Sequence, residues 1–304
     1  MPGPTPPLRA TRRRFGLRRA AAVLAGGAAI ALTAGAVALG ATTGSTATAP
    51  VVTAPTAPVF ATTPPVAPGR ARIPILMYHV IDTPGPTVAF PGLWVPAAEF
   101  ADEMHALRRA GYQAISMDQA WAYWRFGAKL PPHPVIVTFD NGYRSQYTKA
   151  LPILRAMHWI AVMNLQLSLH APEGLTPKQV RGMVAAGWEL DSQTFTHPDL
   201  VTLGPVRLHY EIVEARRRMR RNYGVPVNWF CYPSGHYDPH VVAVVKQAGF
   251  LGSVTVIPGW ASKADPYRLA RLRVLGGTSG AALVDQVRAN KYNPLPPVAY
   301  PPGA

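Results

Sequence analysis

The sequence predicts an α/β fold, specifically a (β/α) barrel, on three observations. Short apolar runs rich in β-branched residues recur from Ile73 onward, amphipathic segments of helical period separate them, and no Gly-x-Gly-x-x-Gly turn follows any run. Strands that are apolar on both faces belong to parallel sheets covered by helices. Some seven or eight strand-helix units in about 230 residues fit a barrel better than an open doubly wound sheet.

Ile73-Pro74-Ile75-Leu76-Met77-Tyr78 reads as the first buried strand. Phe100, Met104 and Leu107, spaced by four and three, predict a helix ending near Gly111. Further strands are expected at Val135–Phe139, Ala161–Leu165, Trp188–Leu190, Trp229–Tyr232 and Gly252–Val256. Helices are expected at Tyr147–Met157, Pro177–Ala186, Val206–Tyr223 and Pro239–Ala248.

Hydrophobic residues make up 48% of the 304, which excludes a disordered chain. The formal charge is +15, but residues 1–72 hold eight arginines and no acid. The 22 remaining basic residues against 15 acids leave only +7 for residues 73–304, so no nucleic-acid partner is expected. Arg216–Arg221 reads as a solvated helix face, with Arg218 four residues after Glu214. A single cysteine, Cys231, excludes an internal disulfide and a cysteine-based zinc site; in an apolar strand it should be buried and inert.

Residues 1–41 read as an export signal or membrane anchor. Thr11-Arg12-Arg13-Arg14-Phe15-Gly16-Leu17 resembles a twin-arginine signal, and the charge-free run Ala20–Ala41 is 22 residues long. At about 1.5 Å per residue that run just spans a bilayer core of roughly 30 Å. Ala36-Val37-Ala38 and Leu39-Gly40-Ala41 offer cleavage sites; an uncleaved tether through residues 20–41 is the alternative. Residues 42–72 form a Pro/Thr/Ala-rich spacer, 73–292 the folded domain, and 293–304 a loose Pro-rich tail. The domain is therefore expected outside the cytoplasm, extracellular or in the cell envelope.

Polar residues gather where strands end. Thr138-Phe139-Asp140-Asn141-Gly142-Tyr143 places two polar side chains before a glycine turn, or alternatively forms an Asp-Asn-Gly cap for the next helix. Gln193 and His197 are four apart, a spacing that suits two ligands of one ion, although His197 also fits a buried histidine bonded to backbone. Asp199 reads as a helix N-cap. Phe230-Cys231-Tyr232-Pro233-Ser234-Gly235 ends a third strand in a loop able to offer backbone amides to an oxyanion.

In combination these segments resemble the NodB-type polysaccharide deacetylases of the family-four carbohydrate esterases. The first is similar to that family's Thr-Phe-Asp-Asp-Gly motif, the second to Gly-Ser-His-Thr-x-x-His, and the third to aromatic-x-x-Pro-Tyr-Gly. Ile73–His79 resembles a Pro-x-Leu-Met-Tyr-His strand, and Tyr267–Val274 a late Leu-Pro-Arg-x-x-Val strand. The resemblance implies a deformed (β/α) barrel and an acetylated glycan as substrate. It implies hydrolysis of an N-acetyl or O-acetyl group by a metal-held water, with Asp140 as general base and the amide at Ser234 steadying the oxyanion. It places the divalent metal, zinc or else cobalt or nickel, at Asn141, Gln193 and His197. The family's carboxylate and first histidine stand here as Asn141 and Gln193, so the ion should be weakly held or absent. Asp191, which shares a face with Gln193 on a strand, is a replacement ligand, with His79 a further nitrogen donor. The arginine of the third motif is Cys231, its tyrosine is Ser234, and no late Leu-x-Leu-x-His motif supplies a general acid. Tyr143, Tyr232, Pro233 and Trp260 are expected to bind substrate, whereas Trp121 and Trp124 have core spacing. Asp140→Asn should end activity with little loss of stability, since a turn cap contributes about 1 kcal/mol. The alternative to a hydrolase is a glycan-binding pseudoenzyme of the same fold.

Overall fold

The computed structural model describes residues 67–303; the expected signal or anchor at 1–41 and the spacer up to residue 66 lie outside them. Among the described residues, strands β1 (Ile75–Tyr78), β2 (Gln113–Ala114), β3 (Pro134–Asn141), β4 (Val162–Leu165), β5 (Glu189–Ser192), β6 (Trp229–Cys231), β7 (Gly252–Val254) and β8 (Leu272–Arg273) form one sheet. Its order is β7-β6-β5-β4-β3-β1-β8, with β2 on the side of β3, and every strand pair is parallel. Helices α1 (Ala97–Arg109), α2 (Met117–Phe126), α3 (Leu151–Ala156), α4 (Pro177–Ala185), α5 (Pro205–His209), α6 (Ala215–Tyr223), α7 (Pro239–Gln247) and α8 (Gly280–Ala289) accompany it. An isolated parallel bridge joins Val254, the end of β7, to Leu269, just before β8, so the segment leading to β8 spans the gap between the sheet's two ends. The sheet is a half-barrel of the deformed (β/α) type.

The expected strands and helices are all present. Two helices expected as continuous carry a π-helical turn, at Gln146–Ala150 before α3 and at Tyr210–Glu214 between α5 and α6. Capping explains sharp starts elsewhere. Ser116 and Gln119 form a reciprocal capping box on α2, as Thr176 and Gln179 do on α4 behind Pro177. Alternate residues of the strands serve two cores. Ile75, Ile136, Val162, Trp229 and Cys231 belong to one, which α2 closes with Met117, Ala120 and Trp124; Leu76, Tyr78, Val137 and Phe139 belong to the other, larger core, which also takes in α1, α4, α7 and α8. Trp121 meets Trp229 edge-to-face at 5.9 Å, so both tryptophans of α2 do serve the core.

The arginine-rich helix is solvated as expected at Arg217, Arg218, Arg220 and Arg221, but its contacts differ from the expected Arg218–Glu214 pair. Arg216 donates to the carbonyls of Val227 and Ala248 and lies over Phe250, while Arg218 lies over Phe195 at 5.1 Å rather than pairing with Glu214. Glu214 instead takes Arg217. These guanidiniums fasten α6 to its neighbours through planar stacking and carbonyl contacts. The Pro-rich tail is likewise held: Tyr237 and Tyr300 exchange backbone hydrogen bonds, and the Tyr237 hydroxyl donates to Pro297.

Candidate active site

Above the apolar layers of the barrel lies a buried polar layer centred on Asp140, near the carboxyl end of β3. Asp140 Oδ1 accepts from Arg271 Nη1 at 2.7 Å and Asn164 Nδ2 at 2.8 Å; Oδ2 accepts from Arg271 Nη2 at 2.8 Å. Arg271 is fully buried, and its other donors reach Thr255 O, Thr138 Oγ1 and Cys231 Sγ. All five guanidinium N–H groups are thus engaged, the condition under which a buried charge pair is tolerated. Burial would raise the Asp140 carboxyl, but the charge and hydrogen bonds of Arg271, helped by His79 and Asn164, hold it well below the usual carboxylate range.

A cleft of about 460 Å³ opens over this layer at the carboxyl ends of the strands. Asp140, Asn141, Tyr143, Gln193, His197, Tyr232 and Ser234 line it, so the structure gathers three separate strand ends at one place. His79, Gln166 and Arg273 join them. The backbone is strained here: Asn141, Thr194, His197 and Ser234 have φ of 71°, 69°, 60° and 55°, in the left-handed region. Such strain needs support. Glu211 of the π turn holds the His197 loop by accepting from Phe195 N, Thr196 N and Thr196 Oγ1. Gln146, at the other π turn, donates to the carbonyls of His79 and Asp140 and ties β1 to β3.

Gln193 makes the decisive contact for the expected ion. Its Oε1 accepts from Asn141 N at 2.6 Å, and its Nε2 lies 3.2 Å from His197 Nε2. The amide therefore bridges the three positions assigned to the metal and covers the nitrogen with which His197 would ligate. Burial, partly offset by Asp140, lowers the His197 pKa, and burial with Arg271 and Arg273 lowers that of His79 to about 4, so both imidazoles are neutral at pH 7.

Three expected residues lie elsewhere. Asp191 does share a face with Gln193, but it sits two residues, roughly 6.6 Å, deeper in the barrel. There it is fully buried and accepts from Trp229 N, and it does not line the cleft. It adjoins Glu189, and burial raises the pKa of both carboxyls. Trp260 donates to Val287 O and packs beside α8. Pro233 is buried and shapes the loop without facing the cleft. Tyr232 lines it, yet its hydroxyl is committed to Ser253 and Tyr267. Asp199 occupies an N-cap position but makes no capping bond; its carboxylate meets His236 Nδ1 at 3.1 Å. Asn164, Gln146 and Glu211 escaped the sequence reading, and Arg271 entered it only as a letter of the late strand motif.

The sequence profile of the polysaccharide deacetylases matches residues 127–252, which include β3 to β6 and the Asp140, Gln193 and Ser234 segments. Residues 127–252 are recognised as a polysaccharide deacetylase domain, and the curated and structural neighbours are polysaccharide deacetylases. The deacetylase-type protein YxkH of Bacillus subtilis is 29% identical over 223 residues, 73% of this chain and 78% of that protein. The poly-β-1,6-N-acetyl-D-glucosamine N-deacetylase of Escherichia coli K12 is 48% identical over 56 residues, 18% of this chain and 8% of that enzyme. Among solved structures, the deacetylase PplD of Streptococcus pyogenes, in complex with acetate, superposes with a TM-score of 0.68 at 26% identity. That match covers 72% of this chain and 99% of PplD. The family places the chain among hydrolases acting on carbon–nitrogen bonds.

Deacetylases of this family are generally metal-dependent. The donor set of this deacetylase domain does not fit that ion. Asn141 is neutral, Gln193 spends its oxygen on a backbone amide, and His197 is capped. Asp140, the nearby anion, is engaged on both oxygens by Arg271. Among the described residues no group of three or more His, Cys, Asp or Glu side chains is placed to hold a metal.

Proposed function

We propose that this chain is an exported hydrolase that removes acetyl groups from a cell-wall or extracellular glycan, working in the Asp140 cleft without the ion its family uses. One observation carries the reading: Asp140 and Ser234, whose carboxylate and backbone amide suit the base and the oxyanion donor of acetyl hydrolysis, line the same cleft. The Ser234 N–H has no acceptor among the described residues, and Ser234 holds a positive φ in the loop after β6. A carbonyl placed against it would have its developing oxyanion stabilised. Asp140 accepts the proton of the attacking water and returns it to the departing amine or alcohol as that group's bond to the carbonyl carbon breaks and acetate leaves. The depressed pKa of Asp140 makes it a weak base, so turnover is slow compared with that of a base poised near the working pH.

Export rests on the arginine-led apolar segment Ala20–Ala41, with the spacer holding the domain off the membrane or free of it. The glycan assignment rests on the family and on the cleft, in which Tyr143 stands beside polar groups. PplD, solved with acetate, offers a precedent for an acetyl-derived group in this fold.

The Gln193 bridge favours a second reading, in which the cleft binds the acetylated glycan and does not turn it over. Acetate release from chitooligosaccharides, β-1,6-linked N-acetylglucosamine oligomers and peptidoglycan fragments separates the two. Release of acetate supports hydrolysis; saturable binding of the same glycans with no acetate supports the second reading.

A further inference from the structure

Helices α5 and α6 and the π turn between them run on without a break and turn one side inward, burying Leu208, Ile212, Ala215 and Met219. The other side is open. Residues 205–223 hold six arginines against two glutamates, a net +4 within the +7 of residues 73–304. One short stretch carries over half of the domain's excess charge.

Pairing within the domain does not absorb that charge. Glu211 is fully buried and taken by the His197 loop and by Arg207 at 2.7 Å, while Glu214 is taken by Arg217 at 2.6 Å. Arg216 turns inward to the carbonyls of Val227 and Ala248. Arg218, Arg220 and Arg221 are exposed, and their guanidiniums make no ion pair or hydrogen bond among the described residues. Arg218 is nevertheless held in place. Its guanidinium lies 5.1 Å from the Phe195 ring centre and 5.9 Å from that of Tyr210, and these two rings are themselves 5.0 Å apart. Arg207 lies over the same Tyr210 at 5.2 Å. Stacking fixes the plane of a guanidinium and leaves its N–H donors to an outside acceptor, so little freedom is lost when an anion binds.

The kind of anion follows from shape. The row from Arg207 to Arg221 extends roughly 20 Å at about 1.5 Å per residue, which suits a linear chain of repeated charges. A planar fork of donors matches phosphate oxygens two at a time. The apolar side of both helices is spent on the core, with Val206 the exposed exception, so no apolar face is left to enter a bilayer.

We propose that the outer face of α5 and α6 docks a linear phosphodiester polymer of the polyol phosphate kind and so holds the domain within an anionic envelope. The binding rests on the arginines; the choice of an envelope polymer over a nucleic acid rests on the export reading above. Arg207 donates to Thr196 Oγ1 at 3.0 Å, so one end of the docked polymer lies near the loop whose His197 lines the Asp140 cleft.

The test titrates fluorescently labelled poly(glycerol phosphate) with the full-length protein and follows anisotropy at rising salt. Combining Arg218→Gln, Arg220→Gln and Arg221→Gln should weaken binding by about tenfold or more at low salt and flatten the slope of log Kd against log salt by roughly two, as fewer counterions are exchanged. Residues 1–72 are the same in both proteins, so their arginines do not produce the difference. Arg220→Gln with Arg221→Gln leaves the stacked Arg218 in place and should lose part of the affinity even if the triple variant impairs folding. Equal affinity in the unaltered protein and both variants would overturn the docking face. Displacement of the labelled polymer by polyglutamate or duplex DNA at lower charge concentration than by the unlabelled polymer would overturn the choice of partner. Neither result touches the acetyl-hydrolysis reading, which acetate release tests separately.

Discussion

Arg271 grips Asp140 through two parallel hydrogen bonds of 2.7 and 2.8 Å, and Cys231 lies 3.4 Å from the same guanidinium. Cys231 stands where the third motif carries an arginine, and the guanidinium that grips the carboxylate here is that of Arg271, the arginine of the late strand motif, in the segment leading into β8.

This pair changes what Asp140→Asn should do. As a turn cap the residue would be dispensable for stability, but as half of a buried pair it is not. The variant leaves the Arg271 charge uncompensated and should lose about 3–5 kcal/mol, read by chemical denaturation. Asp140→Asn with Arg271→Gln removes both charges and should lose less than the sum of the two single changes. Asp140→Asn unfolding with wild-type stability would show that the pair is not formed.

Acid should act through the same pair. The folded-state pKa of Asp140 is depressed, so its stabilisation is present in full above the ordinary carboxylate value near 3.9 and is lost as pH falls below it. The melting temperature should drop steeply below about pH 4, and less so in the doubly uncharged variant.

Glu103 predicts the opposite trend. Burial lifts its carboxyl to about 8; the Tyr78 hydrogen bond opposes this, and Glu99 and Asp102 add to it. Stability tied to its protonated form is complete below the ordinary value near 4.3 and declines as pH rises to about 8. Glu103→Gln should therefore gain on the wild type between pH 5 and pH 9, by roughly 2–5 kcal/mol, in pH-resolved denaturation. A constant difference across that range would contradict the burial argument.

The barrel was legible because β-branched runs and helical spacing are local properties, and β3 and α4 follow their patterns closely. Asp140, His197 and Ser234 were legible as strand-end motifs. Asp191 was misplaced because alternation fixes which face a side chain takes but not how deep it lies. Arg271 was undervalued because its partner, Asp140, is 131 residues away, and no local pattern records such a pairing. Gln146 and Glu211 act through π turns, which leave no periodic trace.

Gly235 offers a check on the oxyanion loop. Its φ is 79°, and a Cβ would come within 2.3 Å of Val256 Cγ2. Gly235→Ala should cost about 1–3 kcal/mol, and it should displace the Ser234 amide, lowering any acetate release by more than the stability loss explains. Equal activity with a lower melting temperature would remove Ser234 from the chemistry.

Restoring the family's ligands should restore its ion. Asn141→Asp returns the carboxylate, and Gln193→His both breaks the amide bridge and supplies a nitrogen beside His197. Together they should raise zinc affinity by about a hundredfold or more in calorimetric titration. Identical zinc affinity in the double variant and the wild type would mean that the amide bridge is not what excludes the ion.

Independence from that ion is tested most directly by the rate of acetate release from N-acetylglucosamine oligomers, measured on one preparation of the full chain in excess chelator and again with excess zinc, cobalt or nickel. The account predicts slow release at the same rate in every condition. Release that begins only when metal is added, or a preparation that carries one equivalent of tightly bound metal, would contradict it.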